Sequence, residues 1–238
     1  MQQLMSQMRA AIDSYNLIES GDRIAVGVSG GKDSLVLLCT LANMRKFLPT
    51  PFEVVAITVD PCFNNMQTDF SQVEELCRHL QVKYVIRRSQ LGNIIFEERK
   101  ENNPCSLCAR MRRGILHNMS KELGCNKLAL GHHFDDAVQT FFMNLFYGGK
   151  IGCFSPKSYL SRKDLHLIRP MVFCEETKIQ SAAKRYNLPI VKSECPVDGH
   201  TCRQSTQNLI HDLEKQFPDL RAKVMGALQR ADIDGWGK

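Results

Sequence analysis

The sequence has no hydrophobic run that reaches the roughly 18 residues needed for a transmembrane helix. It also lacks a signal-peptide layout at its N-terminus. There, Leu4, Met8, Ala11 and Tyr15 are spaced by three and four, which predicts an amphipathic helix within residues 1–20. We therefore expect no membrane partner and a cytoplasmic location.

The chain also lacks repeats, low-complexity segments, long charge runs and any linker that calls for a second domain. Its 238 residues are 43% hydrophobic, enough for a large core, so we expect a single folded domain over residues 1–238. The 31 basic residues exceed the 25 acidic ones by six. This small excess permits nucleic-acid binding, although a solvated basic surface explains it equally well.

Short apolar runs alternate with segments of helical spacing along most of the chain. The predicted strands cover residues 23–28, 53–59, 82–86 and 127–130, with a fifth that ends at Ile168. The predicted helices cover residues 33–47, 67–80, 106–123, 135–146, 175–186, 203–215 and 217–230, whereas residues 150–166 are expected to form a loop. Strands alternating with helices indicate an α/β fold with a parallel sheet, followed by a helical segment over about residues 203–232.

A glycine-rich loop joins the first predicted strand to the first long helix, and it reads Ser29, Gly30, Gly31, Lys32, Asp33, Ser34. Glycines let the backbone approach a ligand closely, and the following helix offers free N–H groups to an anion. The loop departs from the Walker A pattern, because Asp33 stands where Ser or Thr is required. The pattern Ser-Gly-Gly-x-Asp-Ser instead resembles the loop of the N-type ATP pyrophosphatase (PP-loop) superfamily.

That resemblance implies a three-layer PP-loop sandwich that splits ATP between its α and β phosphates. We expect the backbone of Gly30 and Gly31 to hold pyrophosphate and Lys32 to neutralise it, with Ser29 and Ser34 beside them. A carboxylate beside phosphate suggests that Asp33 acts through Mg²⁺. Asp60 follows the second strand, where it serves either the nucleotide or a turn.

A second polar run follows the fourth predicted strand and contains Gly131, His132, His133, Asp135 and Asp136. It resembles the family pattern Gly-His-x-x-Asp-Asp, which supports ATP and Mg²⁺. The resemblance places Gly131, His133 and Asp136 in the nucleotide site, with Asp136 in a catalytic role. Asp135 has the alternative of capping the helix that begins there.

Two of the ten cysteines, Cys105 and Cys108, are three apart at a predicted helix start, so their sulfurs share one face. The helix N-terminus and the basic residues Arg110, Arg112 and Arg113 are expected to favour thiolates. A lone CxxC fits zinc, a redox disulfide or an iron–sulfur cluster. No second CxxC or HxxxH follows, and the candidate partners later in the chain are Cys195 and Cys202.

Over about residues 21–213, the order of these motifs resembles the tRNA 2-thiocytidine synthetase family. The resemblance implies ATP, Mg²⁺ and a [4Fe-4S] cluster held by Cys105, Cys108 and Cys195, with Cys202 as the alternative third ligand. Three ligands leave one iron open to carry sulfide. The remaining cysteines, Cys174 among them, are expected to be structural.

The resulting hypothesis is ATP-dependent thiolation of tRNA, most simply at cytidine C2 in the anticodon loop, with a sulfide or persulfide donor and a homodimeric enzyme. The alternatives are thiolation of another nucleoside or small molecule, a lysidine-type amine ligase without a cluster, and a zinc-stabilised nucleotide-binding module. Basic residues that could hold RNA phosphates are Arg87, Arg88, Arg99, Lys100, Arg110, Arg112 and Arg113. Because a crossover helix runs antiparallel to its strands, Cys105 and Cys108 should border the ATP crevice.

Overall fold

The computed structural model describes residues 1–98, 104–192, 195 and 202–237; the side chains of residues 97, 98 and 202 lie outside this description. In this part of the chain, the strands are β1 Asp22–Gly27, β2 Phe52–Asp60, β3 Lys83–Arg88, β4 Lys127–Ala129, β5 Lys157–Leu160 and β6 Leu165–Ile168. The α-helices are α1 Gln2–Tyr15, α2 Lys32–Met44, α3 Ser71–His79, α4 Leu91–Asn93, α5 Pro104–Glu122, α6 Phe134–Gly148, α7 Glu176–Arg185, α8 Cys202–Gln216 and α9 Leu220–Arg230. A π-helical turn, Ile94–Glu98, continues α4.

The strands form one sheet in the order β3-β2-β1-β4-β6-β5, and every pair is parallel except β5 with β6. β2 is buried at every position but Glu53, as expected for a parallel strand covered on both faces. The predicted α/β class and parallel sheet are therefore confirmed. The predicted helix and strand bounds shift by up to four residues, most at the start of α3.

The prediction of a loop over residues 150–166 is wrong. β5 lies in this segment and pairs antiparallel with β6, with Tyr159 opposite His166. The strand is short, polar and at the edge of the sheet, so its sequence has no apolar alternation that would have revealed it. β5 is therefore stabilised by its backbone pairing with β6 and not by the apolar spacing of its own residues.

Buried side chains fill both faces of the sheet. One core cluster contains Leu4 and Met8 of α1, most of α2 and, near the other end of the chain, Trp236. A second cluster lies on the opposite face and includes Ile57, Leu107 and Leu128. α2 buries apolar residues almost all round, since the sheet, α1 and α7 surround it. This packing fixes the start of α2 at the carboxyl edge of the sheet.

Among the described residues, no helix combines the length and apolar character that crossing a membrane requires.

Candidate active site

The glycine-rich loop turns sharply between β1 and α2 and is held by its own hydroxyl groups. Ser34 Oγ donates to the Gly31 carbonyl oxygen at 2.9 Å and accepts the Ser29 N–H at 3.1 Å. Gly30 has a φ of +85°, which a residue with a side chain rarely adopts. Gly31 is the N-cap of α2, so the free N–H groups of the first helical turn face the same place as the loop. The arrangement is suited to an anion.

The Lys32 ammonium group lies between two carboxylates. Its Nζ is 2.9 Å from Glu176 Oε1 and 3.2 Å from Asp33 Oδ1. Burial by itself lowers the pKa of Lys32, but the hydrogen bond to Glu176 and the charges of both carboxylates outweigh it and raise the pKa. The Lys32 side chain is therefore a cation fixed in place by Asp33 and Glu176. Glu176 was not predicted from the sequence, where it is a polar residue at the start of a helix.

The loop after β4 packs directly on the glycine-rich loop. A Cβ on Gly131 would lie 3.3 Å from the backbone of Asp33 and Ser34, so any side chain there would push the two loops apart. His133, 4% exposed, is the N-cap of α6. Its Nε2 is 3.4 Å from Asp136 Oδ2 and 3.8 Å from Asp33 Oδ1. The two predicted nucleotide motifs therefore meet.

The adjacent carboxylates of α6 serve different neighbours. Asp136 accepts the His133 backbone N–H at 3.1 Å and the Arg203 guanidinium at 2.5 Å. Asp135 is buried, pairs with Arg221 at 2.6 Å and accepts the Glu176 backbone N–H at 2.7 Å. Asp135 thus helps to cap α7, not its own helix.

Asp60 is fully buried at the end of β2. Its carboxylate accepts the backbone N–H groups of Cys62 at 3.1 Å and Thr68 at 3.0 Å, as well as the Thr68 hydroxyl at 3.2 Å. These bonds order the loop that follows β2. The geometry favours the turn alternative for Asp60 over contact with a nucleotide.

A cleft of about 310 Å³ lies where the two loops meet. It is lined by Ser29, Asp33 and Ser34 of the first loop, Gly131, His132 and Asp136 of the second, and the guanidinium-bearing residues Arg112 and Arg203. Asp33 Oδ1 and His133 Nδ1 are buried and accept or donate no hydrogen bond within the described part of the chain. Each atom nevertheless has a polar neighbour, since Lys32 Nζ lies 3.2 Å from Asp33 Oδ1 and Asp135 Oδ2 lies 3.7 Å from His133 Nδ1.

The helix that carries the CxxC pair borders this cleft. Cys105 is exposed and Cys108 half-buried, and Arg112, one turn further along α5, lines the cleft and hydrogen-bonds the Cys108 thiol. The expected position at the nucleotide edge of the sheet agrees with this arrangement.

Burial raises the pKa of the Cys108 thiol. Arg112 offsets part of the rise, and the nearby charges of Cys195 and Cys105 add to it. The expectation that the arginines and the helix N-terminus would favour a thiolate is therefore wrong for Cys108, because burial outweighs the single guanidinium in contact. Because Cys195 acts on the pKa of Cys108, it lies near the CxxC pair although it is distant in sequence.

Among the described residues, no three Cys, His, Asp or Glu side chains lie close enough together to hold a metal ion. Residues 193, 194 and 196–201 and the side chain of Cys202, the alternative third ligand, lie outside the description. The other described cysteines are Cys39, Cys62, Cys77, Cys125, Cys153 and Cys174, and burial raises the pKa of each. That shift is consistent with structural thiols.

The predicted basic residues do not form one free surface. Arg87 is paired with Glu122 at 2.7 Å, and Arg88 lies 4.0 Å from buried Asp60. Arg99 and Lys100 lie outside the described residues. Arg110 and Arg113 are exposed on α5, on either side of the cleft-lining Arg112.

Comparison with known proteins agrees with the motifs. A family model described as PP-loop domain matches residues 2–211. The chain is 42% identical over 221 residues to a tRNA-cytidine(32) 2-sulfurtransferase of Syntrophotalea carbinolica, an alignment that covers 92% of this chain and 85% of the relative. It is 37% identical, with the same coverage, to the protein of that name from Geobacter sulfurreducens.

Its structure resembles that of the U34-tRNA thiolase NcsA from Methanococcus maripaludis, solved with its [4Fe-4S] cluster. The TM-score is 0.77 at 26% identity, and the match covers 95% of this chain and 77% of that one. The glycine-rich loop on one side of the cleft and the CxxC helix on the other are thus set in a fold shared with a cluster-bearing tRNA thiolase. On the extent and identity of these matches, the chain belongs to the tRNA-cytidine(32) 2-sulfurtransferase family of PP-loop enzymes.

Proposed function

We propose that this protein activates the C2 carbonyl of a cytidine in the tRNA anticodon loop with ATP and replaces its oxygen by sulfur. The observation that carries the proposal is the cleft lined by both Ser29 of the phosphate loop and Arg112, which contacts Cys108. A group bound there meets the nucleotide loop and the cysteine helix together.

The reaction has two balanced steps. The carbonyl oxygen attacks the α-phosphorus of ATP and pyrophosphate leaves, which makes the oxygen part of a good leaving group. A sulfide sulfur then adds to C2, and AMP leaves with the former carbonyl oxygen. Ser29, Ser34 and the N–H groups of Gly30 and Gly31 bind the phosphates, while Lys32 neutralises pyrophosphate as it departs. Asp136, in the first turn of α6 on the cleft wall, orients the reacting groups.

The donor set for the second step is Cys105, Cys108 and Cys195. Cys105 and Cys195 lie near enough to Cys108 to raise the pKa of its thiol, and cysteine sulfur is the ligand that iron–sulfur clusters use. These three cysteines would hold a [4Fe-4S] cluster, which would supply iron chemistry for the delivery of sulfide to the site. Arg112 keeps a positive charge between Cys108 and the cleft, where it can also face the anionic AMP.

Magnesium is a further proposal. Asp33 lines the cleft at the start of α2, and its Oδ1 is buried 3.2 Å from the Lys32 ammonium. Carboxylate oxygen is the donor that Mg²⁺ prefers, and a bridging cation removes the repulsion between Asp33 and phosphate.

The setting of the enzyme is inferred from its chemistry. A core cluster that extends from Leu4 to Trp236 supports one domain over residues 1–238. Cytoplasmic tRNA and the absence of disulfides among the described cysteines support a cytoplasmic location. A sulfide or persulfide donor must renew the transferred sulfur, and we retain the homodimer as the expected assembly.

The decisive experiment is mass spectrometry of tRNA nucleosides from cells that lack the protein. Loss of 2-thiocytidine, restored by the wild-type gene but not by the Lys32→Ala variant, is the expected result. Loss of a 2-thiouridine with 2-thiocytidine intact would overturn the cytidine assignment and indicate a uridine substrate, as the name of the U34-tRNA thiolase states for that protein. An unchanged nucleoside profile would overturn the proposal.

A further inference from the structure

α5 carries basic side chains along the side that faces solvent. They lie three or four residues apart and so form one row on the helix surface: Arg110, Arg113, His117 and Lys121. Arg110, Arg113 and Lys121 are exposed, whereas His117 is half-buried. The row extends over about 16 Å, since each residue of a helix adds about 1.5 Å. The proposed reaction uses Arg112 of the same helix and leaves this row without a role.

A second element adds a cation to the row. The short 3-10 turn Ser161–Lys163 joins β5 to β6 and packs beside α5. Its Lys163 side chain is exposed, and the ammonium group donates a hydrogen bond to Asn118 Oδ1 of α5 at 2.8 Å. Arg110, Arg113 and Lys163 therefore lie on one side of the molecule, which we call the basic face.

The His117 ring lies within reach of two of these cations. Burial lowers the pKa of His117, and the charges of Arg113 and Lys163 lower it further. A guanidinium and an ammonium from two separate elements thus act on the same place. Like charges gathered in this way raise the local positive potential and attract an anion.

The nearby carboxylates are engaged by other partners. Asp164 accepts hydrogen bonds from the Tyr159 hydroxyl at 3.1 Å and from Lys121 Nζ at 3.4 Å. Glu122 pairs with Arg87 at 2.7 Å. Within residues 1–98, 104–192, 195 and 202–237, none of the three cations of the basic face forms a salt bridge. Their charge is therefore left for a molecule outside the chain.

The basic face begins close to the cleft. Arg113 directly follows Arg112, which lines the cleft. Burial lowers the pKa of Arg169 to about 10, and the charge of Arg113 contributes to the shift. Arg169 in turn donates to the ring of the cleft-lining His132 at 3.3 Å. Arg113 is thus near the cleft wall, and Lys163 lies further along α5.

Arginines that approach the cleft from the helical C-terminal segment are paired instead. Arg203 of α8 lines the cleft and forms a salt bridge with Asp136 at 2.5 Å. Arg221 of α9 pairs with Asp135 at 2.6 Å. A polyanion that leaves the cleft meets neutralised arginines at these positions and unpaired cations on α5.

We propose that the basic face binds the ribose-phosphate backbone of tRNA where the RNA leaves the cleft, so that the tRNA passes over α5 and the β5–β6 turn. This inference rests on the proposed function and adds to it the path of the substrate. A small anion needs cations that converge on one point, whereas these three follow one another along a row, as RNA phosphates do. Such contacts position the RNA, and the base to be modified is still selected at the cleft.

The first test is binding of an unmodified tRNA transcript with cytidine at position 32. The double variant Arg113→Gln/Lys163→Gln should bind it about tenfold more weakly at fixed salt. The slope of log Kd against log salt concentration should become shallower by about one for each cation removed. Affinity for α,β-methylene-ATP should not change, because neither residue lines the cleft that contains the phosphate loop.

The matched control is the double variant Lys46→Gln/Lys184→Gln. It removes two exposed cations from the α2 and α7 side of the sheet, so the change in net charge is the same. Its affinity for the transcript should stay within about twofold of wild type, because distant surface charges are screened by salt. An equal loss in both double variants would indicate a net-charge effect and overturn the inference.

The second test uses His117 as a reporter. Phosphates bound on the basic face should offset the charges of Arg113 and Lys163 and raise the pKa of His117. NMR titration of the ring with and without an anticodon stem-loop RNA measures this shift, and loss of the signal in His117→Gln assigns it. Inorganic phosphate at the same phosphate concentration should leave the pKa in place. An equal rise with inorganic phosphate would indicate a small-anion site and overturn the assignment to RNA.

The inference and the proposed function fail in different ways. A folded Arg113→Gln/Lys163→Gln variant with wild-type affinity and salt dependence overturns the inference, and so does a His117 pKa that RNA does not move. Neither result touches tRNA thiolation. If the wild-type protein binds the transcript through this face but cells that lack the protein keep their 2-thiocytidine, the proposed function fails and the RNA-binding face stands.

Discussion

Val191 donates its backbone N–H to the carbonyl oxygen of Gly30 at 3.0 Å, and its Cβ lies only 2.8 Å from where a Cβ on Gly30 would stand. The chain that leaves α7 is thereby pinned to the phosphate loop. Cys195 follows four residues later, so the phosphate loop and the third proposed cluster ligand are tied through one short segment. Substitutions in the loop should therefore be felt on both sides of the cleft.

Gly30→Ala should damage the phosphate loop. The positive φ costs an alanine about 1–2 kcal/mol, and the contact with Val191 adds a clash that requires the loop to move. We expect a lower melting temperature and loss of ATP-to-AMP turnover. The matched control is Gly124→Ala, where φ is +69° and nothing lies within 4 Å of the added Cβ. Equal effects from the two substitutions would show that Val191 is not in tight contact.

Lys32→Ala should abolish pyrophosphate release while the fold is retained, because the substitution removes one partly exposed cation and its pairs with Asp33 and Glu176. The conservative partner change Glu176→Gln should weaken the restraint on Lys32. Since the folded-state pKa of Lys32 is raised, its pairing stabilises the fold at neutral pH and the contribution is lost as the pH rises through that pKa. Unfolding measured at pH 7 and at strongly alkaline pH should show the Glu176→Gln effect only at pH 7.

Asp33→Asn should remove the Mg²⁺ dependence of AMP formation together with most of the activity. The substitution keeps the size of the side chain and deletes the charge that a cation would bridge. Titration of the turnover rate with Mg²⁺ provides the measurement. An Asp33→Asn enzyme with an unchanged Mg²⁺ titration would contradict the role given to Asp33.

Cluster assembly should depend on three cysteines. Anaerobically reconstituted wild-type protein should hold about four irons per chain, and Cys105→Ala, Cys108→Ala and Cys195→Ala should each lose them. Cys202→Ala, the control from the same segment, should keep its iron and its visible absorption. The reverse result for Cys195 and Cys202 would reassign the third ligand.

Arg112→Leu should raise the pKa of the Cys108 thiol further, because the guanidinium hydrogen bond and charge both lower it at present. The iodoacetamide reaction of Cys108 in the metal-free protein, followed by mass spectrometry from pH 7 to 10, should therefore shift to higher pH. Arg113→Leu on the neighbouring exposed position is the control and should leave the profile in place. A shared shift would indicate a general surface-charge effect.

Much of the architecture could be predicted from the sequence alone. The parallel sheet, the phosphate loop at Ser29–Ser34 and the CxxC pair follow from contiguous motifs and from apolar spacing within single elements, which depend on local backbone geometry. β5 was missed because a short polar edge strand has no such local pattern. The sequence also left two roles open for Asp60, contact with the nucleotide or formation of a turn, because both roles place a carboxylate after a strand.

Only the tertiary structure decided how the charged groups are paired. Asp136 meets Arg203 from 67 residues away, and His132 meets Arg169 from 37 residues away. Lys32 meets Glu176 across two helices, and Cys195 comes near Cys108 from another part of the chain. Periodicity reports which face of one element is buried, but it says nothing about which residue of a distant element lies opposite. The packing of the helices on the sheet determines which residues lie opposite one another, because it places side chains from distant parts of the sequence at one edge of the sheet.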